Sequence, residues 1–272
     1  MSVSRHWFLW LATVMTWNSI ADAQLIVAHR GASYDAPENT LSAFRLAWEQ
    51  QADAIEGDFF LTKDEQIVCI HDSKTKRTSG VDQDVATSTL AELRQLDVGR
   101  WKDARWAGER IPTLAEVLAI VPDGKKIYIE IKCGPEILPH LPLVLKQSGL
   151  KPEQMIIISF NDQVIAETVR LLPELKSYWL AGFRQNDATK LYEPTVDAVL
   201  ETLGRTKAHG LDVQANRAVV DRAFVDRLRS QKLEFHTWTV NTPEDAKHFR
   251  ELGVDSLTTD RPGYLREALQ LK

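Results

Sequence analysis

The sequence predicts an α/β protein, a closed (β/α)8 barrel of parallel strands behind an export leader. Three observations predict it. Strand-like and helix-like runs alternate eight times beyond residue 24. Taking residues 1–23 from the 272 leaves 249, close to the roughly 250 residues typical of such a barrel. No strand candidate is followed by the G-x-G-x-x-G turn of a dinucleotide-binding open sheet.

The leader comes first. Arg5 and His6 precede the apolar run "WFLWLATVMTW", and "SIADAQ" follows. A short basic start, an apolar stretch of about 11 residues and a small-x-small site form a secretory signal pattern, with cleavage expected after Ala23. An uncleaved anchor is the alternative, but a spanning helix needs about 20 apolar residues. Export is therefore expected, to the periplasm rather than to the medium, with residues 24–272 as one domain. Cleavage removes Arg5 and Asp22 together and leaves the formal charge at −5. With 44% hydrophobic and 26% charged residues, the composition is that of a folded globular chain. Its acidity speaks against nucleic acid or an anionic membrane as the main partner and leaves a small molecule as the expected one. Nothing in the composition sets the oligomeric state. Cys69 and Cys133 are equally compatible with one bridge and with two free thiols.

The strand candidates are "LIVAH" (25–29), "AIEGDFF" (54–60), "KIYIEIK" (126–132), "MIIISF" (155–160), "LKSYWL" (175–180), "AHGLDV" (208–213), "EFHTWTV" (234–240) and "VDSLTT" (254–259). Helical patterns lie between most of them. "NTLSAFRLAWEQ" opens on Asn39 as an N-cap candidate, with apolar residues at 41, 44, 47 and 48. "PTLAEVLAIV" sits between Pro112 and a breaker, Pro122. "NDQVIAETVRLL", "TVDAVLETLG", "DRAFVDRLRS", "TPEDAKHFRELG" and "PGYLREALQ" repeat the logic of polar opening and Gly or Pro close. The rhythm breaks once, over 61–112, which reads as an insertion after the second strand.

Residues two apart on a strand share a face. In "KIYIEIK" the isoleucines at 127, 129 and 131 suit packing on helices, so Tyr128, Glu130 and Lys132 point into the barrel. Glu130 and Lys132 lie near the strand's C-terminal end, where barrel enzymes build their sites. Glu56 and Asp58 share a face by the same rule. A two-residue turn at Asp64–Glu65 would set Lys63 opposite Gln66 and Asp58 opposite His71, on one face at about 4.5–5.5 Å between Cβ atoms. His29 and Arg30 end the first strand. The expected inward cluster is thus His29, Arg30, Glu56, Asp58, His71, Glu130 and Lys132.

Three carboxylates around one point repel unless they take up protons or bind a cation. All-oxygen ligands suit a hard divalent ion, Mg²⁺ or Ca²⁺. Ion pairing among Glu130, Lys132 and Arg30 without metal is the competing arrangement. The histidines lack zinc-type spacing such as H-E-x-x-H and are suited to proton transfer at neutral pH. Arg30 and Lys132 fit an anionic substrate. The whole set describes hydrolysis of a phosphate ester better than most chemistries.

"HRGASYDAPENTLSAF", "IEGDFFLTKDEQIVCIHD", "IPTLAEVL", "YIEIK" and "TWTVNTPEDAKHFRELGVDSLTTDRP" together resemble glycerophosphodiester phosphodiesterases, in family order from about residue 25 to 265. The resemblance implies a TIM barrel with an insertion after strand two, and metal-dependent hydrolysis of glycerophosphodiesters to glycerol 3-phosphate and an alcohol. It implies Glu56, Asp58 and Glu130 as metal ligands, His29 and His71 as the acid–base pair, and Arg30 and Lys132 as phosphate-binding cations. Phe160, Trp238 and Asp260 fall at strand ends that the family uses to line its pocket; barrel packing or a helix cap is the plainer role for each. Glu38 and Asn39 fall in the P-E-N-T loop. Two positions depart from the pattern: Asp64-Glu65 replaces Asp-Gly, and Gly57 stands where a larger residue is usual. Related barrels that cleave intact lipid phosphodiesters, as phosphatidylinositol-specific phospholipases or sphingomyelinases D, are the alternative, with Trp101 and Trp106 available for an apolar rim. A non-catalytic periplasmic binding protein is the reading from another class.

Overall fold

The computed structural model describes residues 24–271; the leader expected over 1–23 lies outside the described residues. Eight strands form the barrel: β1 (Leu25–Ala28), β2 (Ala54–Leu61), β3 (Lys126–Ile131), β4 (Met155–Ser159), β5 (Lys176–Ala181), β6 (Gly210–Gln214), β7 (Glu234–Trp238) and β8 (Ser256–Thr259). Each pairs in parallel with the next, and β1 closes the ring, with Val27 opposite Ala54 on β2 and Ile26 opposite Leu257 on β8. The flanking helices are α1 (Leu41–Glu49), α2 (Leu114–Leu118), α3 (Leu141–Gln147), α4 (Asp162–Leu171), α5 (Val196–Thr206), α6 (Arg222–Ser230), α7 (Pro243–Glu251) and α8 (Pro262–Ala268). This is the TIM barrel that the alternation of runs predicts.

The strand faces separate as expected. Ile127, Ile129 and Ile131 pack outward with Phe44 and Ala47 of α1 and Leu114 and Val117 of α2. Val27, Ala54, Tyr128, Ile156, Ile158, Tyr178 and Leu180 fill the interior. Gly57 faces outward, where a Cβ would lie 3.1 Å from Phe44 Cζ and 3.3 Å from Cys69 Sγ. Phe44 and Cys69 thus take the space that a larger residue would need. Lower in the barrel His236 stacks on Tyr178 with ring centroids 4.1 Å apart, and Tyr178 Oη donates to Glu234 at 2.6 Å. Below this plug a hollow of about 1050 Å³ opens at the N-terminal end. None of Glu56, Asp58 and Glu130 lines it.

Helix α1 is capped by Thr40, whose Oγ1 accepts from Ala43 N at 3.2 Å, and not by Asn39 as the sequence suggests. Asn39 lies one step earlier in the left-handed region, φ +57°, which Asn tolerates better than most residues. Its side chain is thereby turned away from the helix and toward β2.

The insertion leaves the ring after Leu61 and returns at Thr113, the N-cap of α2. Its first part is a hairpin strand, Ile67–Cys69, antiparallel to β2. Beyond it two short helical turns, Lys76–Ser79 and Leu90–Leu93, enclose a core of Val68, Ile70, Val85, Leu93, Leu96, Val98 and Ile111. The hairpin corrects the expected register by one residue. Leu61 pairs with Ile67 and Phe59 with Cys69, and Thr62 N donates to Gln66 O at 2.9 Å. The loop is therefore three residues, 63–65, with Glu65 in the left-handed conformation at φ +60°, a geometry common in hairpins where Gly usually fills that place. Ile70, not His71, faces Asp58 across the ladder, its N–H donating to Asp58 O at 2.9 Å. Ile70 is buried in the insertion core. His71 has left the strand, so its direction is not set by strand alternation. Cys69 and Cys133 are both free thiols.

Candidate active site

The mouth at the C-terminal ends of the strands gathers the sequence-predicted acids. Asp58 and Glu130 are directly paired on β2 and β3, and Glu56 lies two residues before Asp58 on the same face. One carboxylate oxygen from each of the three lies within 4.8 Å of the others. All three are buried. Arg30, at φ +56° just past β1, donates its backbone N–H to Glu56 Oε2 at 2.9 Å and holds Nε 3.3 Å from Asp58 Oδ2. Lys132 Nζ is 2.6 Å from Glu130 Oε1 and 3.4 Å from Asp58 Oδ1. Asn39 Nδ2 donates to Asp58 Oδ2 at 2.8 Å, and its Oδ1 accepts from the Asp58 N–H at 3.2 Å and from Cys69 Sγ at 3.2 Å. Asn39 thus orients an acid of the cluster, a role that its cap-like sequence context concealed.

Two cations cannot neutralise three carboxylates, and the proton affinities divide accordingly. Burial works against ionisation of Asp58, but Lys132 and Arg30 outweigh it and hold its pKa below the ordinary value. Burial and the charges of Asp58 and Glu130 push Glu56 well above its usual range. Burial and Asp58 push Glu130 up to about 7 against the pull of Lys132. Glu56 Oε1 is buried without a hydrogen-bond partner, and Asp58 Oδ1 has only the ion pair with Lys132 at 3.4 Å. Burying such atoms without compensation is costly. A buried, all-oxygen cluster with an orphaned acceptor and a missing positive charge fits a hard divalent ion.

A carboxylate holds each imidazole by the same nitrogen. His29 Nδ1 lies 2.7 Å from Asp260 Oδ1. Asp260 in turn accepts from Ser33 Oγ at 3.0 Å and Asn241 Nδ2 at 2.6 Å. Burial opposes ionisation of Asp260, but these bonds prevail and bring its pKa down to about 2. His71 Nδ1 lies 2.6 Å from Asp72 Oδ1. Its charge acts on Asp58, and burial lowers its own proton affinity. With Nδ1 engaged by a carboxylate, Nε2 of each ring is left for substrate.

Asp260 appears among the sequence candidates only as a pocket or cap residue. Asp72, next to His71 in "IHD", is absent from them; its adjacency to a candidate histidine was the available clue. A fourth interior acid, Asp212 on β6, was also missed. It is 1% exposed with Oδ1 unpartnered, and burial first, then Glu130, push its pKa well above the ordinary range. It lies outside the three-acid cluster.

Phe160 and Trp238 meet edge to face at 5.5 Å between ring centroids, and Lys132 Nζ lies 5.9 Å from the Phe160 ring. A hollow of about 280 Å³ opens beside them, lined by Glu130, Lys132, Ser159, Phe160 and Asn161. Phe160 is 47% exposed, more than barrel packing would leave it. In the insertion, Trp101 is half-exposed and bonds its indole N–H to Val98 O at 2.8 Å. Trp106 lies under Arg105.

A parallel barrel whose mouth holds buried acids, cations and carboxylate-oriented imidazoles belongs to the class of barrel enzymes acting on anionic substrates. The chain belongs to the glycerophosphoryl diester phosphodiesterase family, phosphoric diester hydrolases, whose model matches residues 29–264. It is 35% identical over 243 residues to a glycerophosphodiester phosphodiesterase of Caldanaerobacter subterraneus subsp. tengcongensis, covering 88% of this chain and 94% of that one. A Bacillus subtilis glycerophosphodiester phosphodiesterase is 31% identical over 258 residues, 89% of this chain and 85% of that one. Among solved structures, an Oleispira antarctica phosphodiesterase in complex with the product sn-glycerol 3-phosphate superposes with a TM-score of 0.80 at 27% identity, covering 90% of this chain and 96% of that one. These matches do not favour the phospholipase alternative. No helix among the described residues is long and apolar enough to cross a membrane.

Proposed function

We propose that this protein hydrolyses glycerophosphodiesters to glycerol 3-phosphate and an alcohol, with one divalent ion, Mg²⁺ or Ca²⁺, and with His29 and His71 as the proton-transfer pair. The observation that carries the reading is the convergence of Glu56, Asp58 and Glu130 oxygens within 4.8 Å, in a mouth flanked by two imidazoles. Glu56, Asp58 and Glu130 would hold the ion, which when bound would supply the missing positive charge and stabilise negative charge on a phosphodiester oxygen. Arg30 and Lys132 bind the remaining phosphoryl oxygens as charged donors. One imidazole takes a proton at Nε2 from the attacking group, the neighbouring glycerol hydroxyl or a water. The other delivers a proton to the departing alcohol oxygen. Attack by the hydroxyl gives a cyclic phosphate that water opens in a second step. Phe160 and Trp238 shelter the apolar edge of the glycerol unit beside Lys132. Residues 1–23 direct export, to the periplasm, and sequencing the mature N-terminus tests that part.

The enzymatic test is release of glycerol 3-phosphate from glycerophosphocholine, read by a coupled dehydrogenase. His29→Ala and His71→Ala should each lower kcat by about 10²–10⁴-fold, the usual worth of general acid–base help. Chelation should abolish turnover, and Mg²⁺ or Ca²⁺ should restore it. Near-normal turnover in both histidine variants, or full activity in chelator, would overturn the reading.

A further inference from the structure

His71 and Arg30, the proton-transfer group and the phosphate-binding cation proposed for this side of the mouth, each contact a carboxylate, and one guanidinium holds both carboxylates. Arg77 stands on the short helical turn Lys76–Ser79 of the insertion. Its Nη1 donates to Glu38 Oε2 at 2.8 Å and its Nη2 to Glu38 Oε1 at 2.7 Å, a two-pronged pair. Its Nε donates to Asp72 Oδ2 at 2.6 Å. Asp72 presents its other oxygen to His71 Nδ1 at 2.6 Å, and Glu38 Oε1 also accepts from Arg30 Nη1 at 3.1 Å.

We propose that Arg77 is a positioning residue for the reaction: by clamping Asp72 and Glu38 together it fixes the ring direction and tautomer of His71 and the placement of the Arg30 guanidinium. This rests on the proposed catalytic reading. His71 lies outside the β2 hairpin ladder, so no strand pairing aims its ring. Asp72 does, and Asp72 has its other oxygen on Arg77. The fixed fork of a guanidinium spans two carboxylates in one plane, which the point charge of a lysine ammonium cannot do. The clamp also explains why the insertion carries chemistry at all. The insertion carries His71 itself, and with Arg77 the brace for both His71 and Arg30. Arg77 itself is 44% exposed. Ion pairs at such a position contribute little to folding, so its loss should be felt in turnover rather than in stability.

The test compares Arg77→Gln, Arg77→Lys, Arg77→Ala, His71→Ala and the double variant Arg77→Gln/His71→Ala on glycerophosphocholine with saturating metal. Loss of a residue that orients a reacting group commonly costs about 10–100-fold, and that fall is expected in kcat for Arg77→Gln, with the melting temperature within about 2–4 °C of the parent. Arg77→Lys should recover only part of the loss. Millimolar guanidinium added to Arg77→Ala should raise kcat, which a purely structural defect would not allow. The double variant should be much less impaired than the product of the two single effects, because Arg77 acts largely through His71. Wild-type turnover in Arg77→Gln, fully multiplicative losses in the double variant, or no response to guanidinium would overturn the clamp. If His71→Ala is inactive while Arg77→Gln is normal, only the clamp falls. If His71→Ala is itself normal, the catalytic reading falls first.

Discussion

Raising the pH of the metal-free protein should destabilise it, and the acid cluster sets how much. Burial and Asp58 push Glu130 from an ordinary 4.5 up to about 7. Between those values the unfolded chain has lost this proton and the folded chain keeps it. Stability therefore falls as pH rises from about 4.5 to about 7, by about 3 kcal/mol for Glu130 alone. Glu56, raised for the same reasons, acts in the same direction. His71, whose proton affinity burial lowers, acts oppositely near its unfolded value. Asp58 and Asp260, both depressed, lend stability above the unfolded value of an ordinary Asp, and that contribution is lost only at more acid pH. For a domain of this size 1 kcal/mol moves the melting temperature by about 2–4 °C, so the drop between pH 5 and pH 8 in chelator should be roughly 6–12 °C. Saturating Mg²⁺ or Ca²⁺ should remove most of it, because binding to the ionised cluster stabilises the folded state. Glu130→Gln, with no proton to lose, should show a shallower pH slope in chelator. A metal-free melting temperature that is flat or rising from pH 5 to pH 8, or an unchanged slope in Glu130→Gln, would show that the buried acids do not hold their protons in the folded state.

Other outcomes follow from single contacts. Asn39→Ala should weaken divalent-metal affinity by about 10–100-fold in calorimetric titration, since Asn39 grips both the carboxylate and the backbone N–H of Asp58. Gly57→Val should lower unfolding free energy in urea by about 1–3 kcal/mol through overpacking on Phe44 and Cys69, and adding Cys69→Ala should recover part of the loss. Glu65→Gly should raise stability by about 0.5–1 kcal/mol with kcat unchanged, because Glu65 holds φ +60° at an exposed loop tip where Gly pays no Cβ penalty.

The period-2 alternation of "KIYIEIK" and "AIEGDFF" carried most of the site. A strand has two faces, so knowing that the isoleucines pack on helices places Glu56, Asp58 and Glu130 inside. The β2–β3 register then brings Asp58 level with Glu130. The hairpin was less legible. Two-residue and three-residue hairpin loops both need positive φ, at one or both turn positions in the first and at the last residue in the second, and nothing in "KDEQ" announces that Glu65 alone takes it. His71 nevertheless reaches the site, for a reason unrelated to the strand pairing: Asp72 holds its ring. Asp72 was legible only as the neighbour of His71, whereas Asp260 and Arg77 were hard to read because they act through contacts between distant segments. His29 and Asp260 are 231 positions apart, and Arg77 and Glu38 are 39 apart. Asp212 was hidden for another reason, since a lone acid in "AHGLDV" looks like any charged strand residue until burial is known.

Everything proposed for this mouth depends on three buried carboxylates forming one divalent-cation site beside the histidines. Isothermal titration of Mg²⁺ and Ca²⁺ into the chelator-stripped protein tests it most directly. One ion should bind per chain of the wild type, binding should be unimpaired in His29→Ala and His71→Ala, and it should be lost in Asp58→Asn and in Glu130→Gln. No saturable binding of either ion to the folded wild type, or equal affinity in Asp58→Asn, would contradict it.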